Sequence, residues 1–235
     1  MIRTATGRGD ALHASWVNPM HDVINTFLLV YAALFPLVNP FGSAPFFLGL
    51  TEQYTSQERA RMSRQIAINS FLLLIGSLWI GSHVLGFFGV SLPIVRVAGG
   101  LVVTSFGWKL LNSAALPDQS HAAQHAAEND DPDTFYPLTM PLTVGPGSIS
   151  VAITLGSQRP AAEDWELFAM KSVAAVVALV AMSLTVYFCY RFAPRLVSAL
   201  GRGGTSVLVR LSAFILLCIG IQILWNGIEQ LLHLT

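Results

Sequence analysis

The sequence predicts an all-α fold: a polytopic membrane bundle of six transmembrane helices, built as two inverted three-helix repeats with broken first and fourth helices. Three observations carry this prediction. Charged residues make up 11% of the 235 residues and mean hydropathy is +0.59, whereas an average soluble domain is about 25% charged. Six long stretches hold almost all the apolar residues and almost none of the charge. The first and fourth of these stretches repeat one proline pattern.

So few charges cannot cover the surface of a water-soluble protein this long. The composition excludes an ordinary globular enzyme and a disordered chain. A formal net charge of zero supplies no basic field for phosphate backbones, which excludes a nucleic-acid partner. Two cysteines, Cys189 and Cys218, are too few for a disulfide scaffold.

The elements follow in order. Residues 1–20 contain Arg3, Arg8 and Asp10 but no apolar core of a signal segment, and read as a disordered tail in which Met20 is an alternative start. No Asp, Glu, Lys or Arg occurs at 23–51, 65–95, 97–108, 134–158, 172–190 or 211–228. Because about 20 apolar residues cross a bilayer as a helix, these stretches give spans at 23–50, 65–88, 92–112, 135–157, 167–192 and 207–231. Spans one to three form a first repeat over 21–112, and spans four to six a second over 135–235. Between them, 113–134 carries Asp118, His121, His125, Glu128, Asp130, Asp131 and Asp133, and reads as an acidic cytoplasmic loop. His121 and His125 have the i,i+4 spacing of metal ligands, but beside these carboxylates they fit a solvated loop, and no metal or cofactor is expected.

Basic residues set the orientation. Arg59, Arg61, Arg64, Lys109, Arg191, Arg195 and Arg202 flank one side, against Arg159, Lys171 and the distant Arg3 and Arg8 on the other. Loops 1–2, 3–4 and 5–6 are therefore expected in the cytoplasm and both termini outside.

The repeat is the strongest functional signal. Phe35-Pro36-Leu37, Pro40 and Ala44-Pro45 recur as Tyr136-Pro137-Leu138, Pro141 and Gly145-Pro146, so the two spans hold six of the twelve prolines. Each proline removes a backbone donor and clashes with the preceding turn. With Gly42, Gly145 and Gly147, these prolines are expected to unwind both helices near mid-membrane. Exposed backbone is tolerated there only if buried in protein or lining a cavity. Three spans per half is an odd number, so the halves enter the membrane from opposite sides. This is the inverted repeat of secondary transporters, whose site lies where broken helices meet.

Candidate substrate-binding residues follow from the breaks. Asn39 offers an amide, and also suits the cap of the half-helix after the break. Pro40, Gly42, Gly145, Pro146 and Gly147 shape the backbone, while Ser43, Ser148 and Ser150 offer hydroxyls to substrate or back to helix carbonyls. Arg96, an intramembrane arginine on the side that the charge rule disfavours, joins the set; Arg210 reads as an interfacial anchor. His83 and Glu229 are expected at the interface, and Asn69, Gln222 and Asn226 in bonds between helices. The stripe Ser77, Gly81, Ser82, Gly86 allows close packing within one chain or in a homo-oligomer.

Asn39-Pro40-Phe41-Gly42-Ser43-Ala44-Pro45-Phe46, Ser91-Leu92-Pro93 leading to Arg96-Val97-Ala98-Gly99-Gly100, and Pro141-Leu142-Thr143-Val144-Gly145-Pro146-Gly147-Ser148-Ile149 together resemble the MarC family of bacterial membrane proteins. The resemblance covers about residues 22–232; only the long tail and the acidic loop depart from it. It implies six spans in the cell (inner) membrane and a grouping with neutral amino acid transporters, in a wider set that includes lysine exporters. The expected function is export or transport of small neutral amino acids or similar metabolites, with a small-molecule substrate and the lipid bilayer as partners. Two other classes compete with this reading. An intramembrane enzyme needs a nucleophile with a base, paired aspartates or a metal cluster; the spans contain no Asp and no internal Glu, so no enzyme is expected. A non-transporting membrane scaffold is the remaining alternative.

Overall fold

A computed structural model describes residues 19–112, 134–157 and 165–233. The 1–20 tail, except its last two residues, and the acidic loop with His121 and His125, except Thr134, lie outside the described residues. Among the described residues every element is helical: α1 (Pro19–Val38), α2 (Pro40–Leu50), α3 (Ser56–Phe87), α4 (Leu92–Asn112), α5 (Thr134–Thr143), α6 (Pro146–Ser157), α7 (Trp165–Arg191) and α8 (Ala193–His233). Among the described residues, five segments are long and apolar enough to cross a membrane singly: His21–Leu50, Ser56–Phe87, Leu92–Asn112, Trp165–Arg191 and Gly203–Leu232. The α5–α6 pair makes the sixth span, bent by 70°.

Local chemistry explains the boundaries. Helix α3 starts nine residues before the charge-free stretch because Thr55 and Glu58 form a reciprocal cap. The Glu58 amide donates to Thr55 Oγ1 at 3.3 Å, and the Thr55 amide donates to Glu58 Oε2 at 2.7 Å. Two backbone donors at the helix start are thereby satisfied, and the helix carries Arg59, Arg61 and Arg64 out of the apolar zone. At its other end Gly89 sits at φ +67°. Gly89 N–H donates to Gly86 O at 3.1 Å and Val90 N–H to Leu85 O at 2.9 Å, the pairing of a glycine-terminated helix. Helix α8 begins at Ala193 and turns at Gly201, φ +64°, so the loop expected before span six is itself mostly helical.

The principal contacts obey one exchange. Swapping span one with four, two with five and three with six maps α1·α7 onto α5·α3, α3·α6 onto α7·α2 and α4·α6 onto α8·α2, while α4·α8 and α3·α7 map onto themselves. All of these contacts are present, as an inverted pair of three-helix units requires. Leu34, Phe47, Ile66, Leu74, Val144, Leu179 and Met182 form a buried core between spans one, two, four and five. The outward faces carry large apolar residues such as Leu72, Ile80, Val173, Leu184 and Phe214, which suits lipid as the solvent.

Spans three and six make the most extensive interface, and glycines from both helices form it. A Cβ on Gly100 would lie 2.5 Å from Leu224 N, and one on Gly220 2.5 Å from Thr104 N. Gly107 faces Leu217 N and Gly227 faces Val97 N in the same way. Only hydrogen at these positions lets two backbones come so close. The expected stripe on span two is divided: Gly81 lies against Ile153, whereas Gly86 faces open space.

Candidate crossing of the two broken spans

The first span breaks at the residue before its second proline and the fourth at the residues before its first and second, positions where proline disfavours the α conformation of its predecessor. The outcomes differ. Asn39 adopts the left-handed region, φ 44° and ψ 57°, which asparagine tolerates better than most residues. Its N–H donates to Phe35 O at 2.8 Å, and its carbonyl accepts from Ser43 N at 3.0 Å. Its side-chain oxygen accepts from Gly42 N at 3.2 Å and caps α2. Pro40 is then the first residue of α2, where a missing donor costs nothing. The first span is thus interrupted at one residue and continues as a 30-residue segment. Unwinding of this span, expected from its prolines, is not what the structure shows.

The fourth span does open. Tyr136 and Met140, each before a proline, take extended backbone with φ near −120°. Between them the chain winds widely: Val144 N–H donates to Thr139 O at 2.8 Å, five residues back. Thr139 Oγ1 donates to Thr134 O at 2.7 Å and Thr143 Oγ1 to Leu138 O at 2.8 Å. Each hydroxyl bonds back to a carbonyl five residues earlier, and α6 departs from Pro146.

The two breaks meet. Ser43 Oγ, at the start of α2, lies 3.5 Å from Leu142 O in the fourth span and 3.5 Å from Val38 O in its own. Beside it, Thr143 Oγ1 shares a 2.7 Å hydrogen bond with the Tyr190 hydroxyl of α7. Because Thr143 already donates to Leu138 O, Tyr190 is the donor in that pair. The Tyr190 ring stacks on Phe47 of α2, with centroids 4.6 Å apart and planes 8° from parallel. Ser43, Phe47, Thr143 and Tyr190 are all buried, so α2, α5 and α7 are locked together. Longer ties repeat the theme: Tyr31 of span one shares a 3.0 Å hydrogen bond with Thr185 of span five, and Asn69 of span two reaches Thr139 of span four at 3.5 Å.

The ten candidate residues do not converge on one point. Asn39, Pro40, Gly42 and Ser43 stand at the crossing. Gly145 is half-buried and Pro146 exposed. Ser148 Oγ donates to Gly145 O at 2.9 Å within its own helix start. Gly147 is covered by Val103, and Ser150 Oγ donates to Val95 O at 3.1 Å, so both face α4 rather than α2. Arg96 lies farther away, its Nε donating to Thr154 Oγ1 at 3.4 Å. Gln222 donates to Asn226 at 2.8 Å within α8, not between helices. Sequence reasoning missed Tyr190, Thr143 and Phe47 as members of the crossing. Thr143 occupies the place of Gly42 in the repeat, and Tyr190, the penultimate residue of α7, needs a hydroxyl partner once buried, but neither signal names the other residue.

Helix α6 walls two cavities. One, of about 220 Å³, lies among α1, α3, α6 and α7, with Thr26, Trp79, Phe168 and Lys171 in its lining. The other, of about 360 Å³, lies among α4, α6 and α8 beside Arg96. At the crossing itself the described polar groups are hydroxyls, the Asn39 amide and main-chain carbonyls. Such a set offers hydrogen bonds and carries no charge.

The family model for the MarC family integral membrane protein matches residues 24–232. The inner membrane protein MarC of Salmonella typhimurium is 32% identical over 221 residues, covering 91% of this chain and 98% of the relative. That of Citrobacter koseri is 31% identical over 218 residues with the same coverage of both chains, and that of Escherichia coli is 31% identical over 221. No solved structure matches the chain. With a match over nearly every described span and relatives of equal extent, the chain belongs to the MarC family of integral membrane proteins.

Proposed function

We propose that the chain is a transporter or exporter of small neutral amino acids or similar metabolites, and that the solute passes where the two broken spans cross. The reading rests chiefly on the Ser43 contact with the Leu142 carbonyl. It joins residues 99 apart in sequence, each beside one of two interruptions, Asn39 and Met140, that stand at matching positions of the repeat. Backbone interruptions at membrane depth are costly unless buried or lining a path, and a pair meeting between inverted halves is the arrangement of alternating-access carriers. The buried crossing then corresponds to a closed state of the path.

On this reading the protein performs no covalent chemistry. It resides in the cell (inner) membrane with both termini outside, in keeping with the name of its relatives and with the basic residues flanking the spans. The family grouping supports neutral amino acids as the solute class. A proteoliposome screen tests it: amino acids are offered in uptake and counterflow, with and without ion gradients. Saturable counterflow of at least one neutral amino acid is expected, and none for any solute refutes the proposal. A non-transporting scaffold is the second reading. In its favour, Ser43, Thr143, Ser148 and Ser150 all hydrogen-bond within the protein.

A further inference from the structure

Two main-chain oxygens at the crossing have lost their amide donors. In an unbroken helix Val38 O would accept from Gly42 N–H, but that amide goes to the Asn39 side chain at 3.2 Å. Leu142 O would accept from residue 146, which is proline and has no N–H. Among the described residues no backbone amide replaces either donor. Val38 is the last residue of α1, so its carbonyl also stands at the negative end of that helix. Both carbonyls converge on Ser43 Oγ, 3.5 Å from each. The Tyr190 hydroxyl reaches the same oxygen, and its own proton is spent on Thr143. Ser43 thus has one proton for three acceptors. A hydroxyl that donates well to a carbonyl sits about 2.7–2.8 Å from it, as those of Thr139 and Thr143 do. Val38, Ser43 and Tyr190 are buried, and buried carbonyls without a donor cost free energy until something positive meets them.

The 3.5 Å spacing is long for a hydrogen bond but suits oxygens that share a cation. Neighbouring corners of an octahedron are separated by the metal–oxygen distance times the square root of two. A separation of 3.5 Å therefore places a central ion about 2.5 Å from each oxygen, inside the range of about 2.3–2.6 Å for a calcium-sized cation. Sodium has nearly the radius of calcium and half its charge. The donors are neutral, and among the described residues His, Cys, Asp and Glu form no group that could hold a metal. A buried divalent ion would lack counter-charge in such a set, whereas unwound carbonyls of broken membrane helices suit sodium. We propose that the crossing binds one sodium ion, coordinated by Val38 O, Leu142 O, Ser43 Oγ and Tyr190 Oη, with water completing its shell. The ion gives both carbonyls a positive partner and ties the first span to the fourth. It is held by this oxygen geometry whether or not a solute passes.

The test titrates the full chain, in lipid nanodiscs and choline buffer, with radioactive sodium and counts bound ion by scintillation proximity. Saturable binding of one ion per chain is expected. Unlabelled sodium should displace it at a concentration about tenfold or more below that of potassium, a larger ion that needs its oxygens farther apart. Ser43→Cys keeps the size and the donor but replaces a hard oxygen by a soft sulfur; it and Ser43→Ala should each weaken binding about tenfold or more. Tyr190→Phe, which lacks the hydroxyl oxygen, should also weaken it, and Ser77→Ala should leave it unchanged. A ligand that binds only the folded state stabilises that state, so sodium should raise the unfolding midpoint of the wild type more than that of Ser43→Cys. Monodisperse wild-type protein without saturable sodium binding overturns the proposal. So does displacement by potassium as effective as by sodium, or wild-type affinity in Ser43→Cys, Ser43→Ala and Tyr190→Phe. Binding is read without transport, so failure here leaves solute passage to be judged by counterflow, and failure of counterflow leaves this site standing.

Discussion

Replacing Gly100 by alanine tests the close approach of spans three and six. The new Cβ would stand 2.5 Å from Leu224 N and 2.8 Å from Leu224 Cα, both backbone atoms, whereas ordinary contact begins at 3.4 Å. The helices must therefore part by roughly 0.9 Å at this point. Backbone cannot swing aside as a side chain can, and the seam continues through Gly107, Gly220 and Gly227, so the displacement spreads along it. Overpacking of this kind costs about 1–3 kcal/mol. Alanine also favours a helix by about 1 kcal/mol over glycine, which would mask part of the cost. Gly76→Ala, in the interior of α3 with nothing within 4 Å of its new Cβ, carries the same propensity gain without the clash. The difference between the two variants thus isolates the steric part, and Gly100→Ala should be the less stable by about 1–3 kcal/mol. Unfolding in a titration of denaturing into mild detergent, followed by circular dichroism, measures both. Equal midpoints for the two variants would show that spans three and six are not seamed by their glycines.

Further outcomes follow from the crossing and the charges. Tyr190→Phe removes the hydroxyl bonded to Thr143 but keeps the ring on Phe47, and should cost about 1 kcal/mol. Tyr190→Ala also empties a buried ring's space and should cost about 3–5 kcal/mol; equal unfolding midpoints for the two would contradict the stacked arrangement. In a background without Cys189 and Cys218, an impermeant thiol reagent added outside should label His233→Cys and spare His121→Cys. The reverse pattern would invert the orientation.

Much of the fold could be read from where charge is missing, since lipid tolerates apolar surface and penalises Asp, Glu, Lys and Arg. That criterion placed all six spans. It failed at helix ends that are set by other chemistry: the Thr55–Glu58 cap begins α3 before the apolar zone, and a helical Ala193–Leu200 fills what charge alone leaves as a loop. The proline register located both breaks but not their difference. Asn39 can turn left-handed and cap the next helix, whereas Met140, its counterpart in the repeat, has neither option and the chain opens. Gly100 and Gly107, like Gly220 and Gly227, recur at seven-residue intervals, a visible stripe whose partner no single sequence names. The same limit hid Tyr190. Its burial depends on Thr143 and Phe47 arriving from other spans, and pairing across a bundle is a property of packing rather than of local pattern.

The central claim, that solute passes through the crossing, is tested most directly by the concentration dependence of counterflow. Wild-type and Asn39→Ala proteoliposomes would be compared at equal membrane abundance, using the amino acid that the screen selects. The side-chain oxygen of Asn39 is engaged with Gly42, and its amide nitrogen is the group left for substrate. Loss of one or two buried hydrogen bonds is worth about 1–3 kcal/mol, which predicts a half-saturating concentration about 5- to 150-fold higher. The Ser77 hydroxyl bonds back to Leu73 O at 2.7 Å within its own helix, so Ser77→Ala should match the wild type. If Asn39→Ala moves solute at the wild-type rate and with the wild-type half-saturating concentration, the two breaks are structural and the path lies elsewhere.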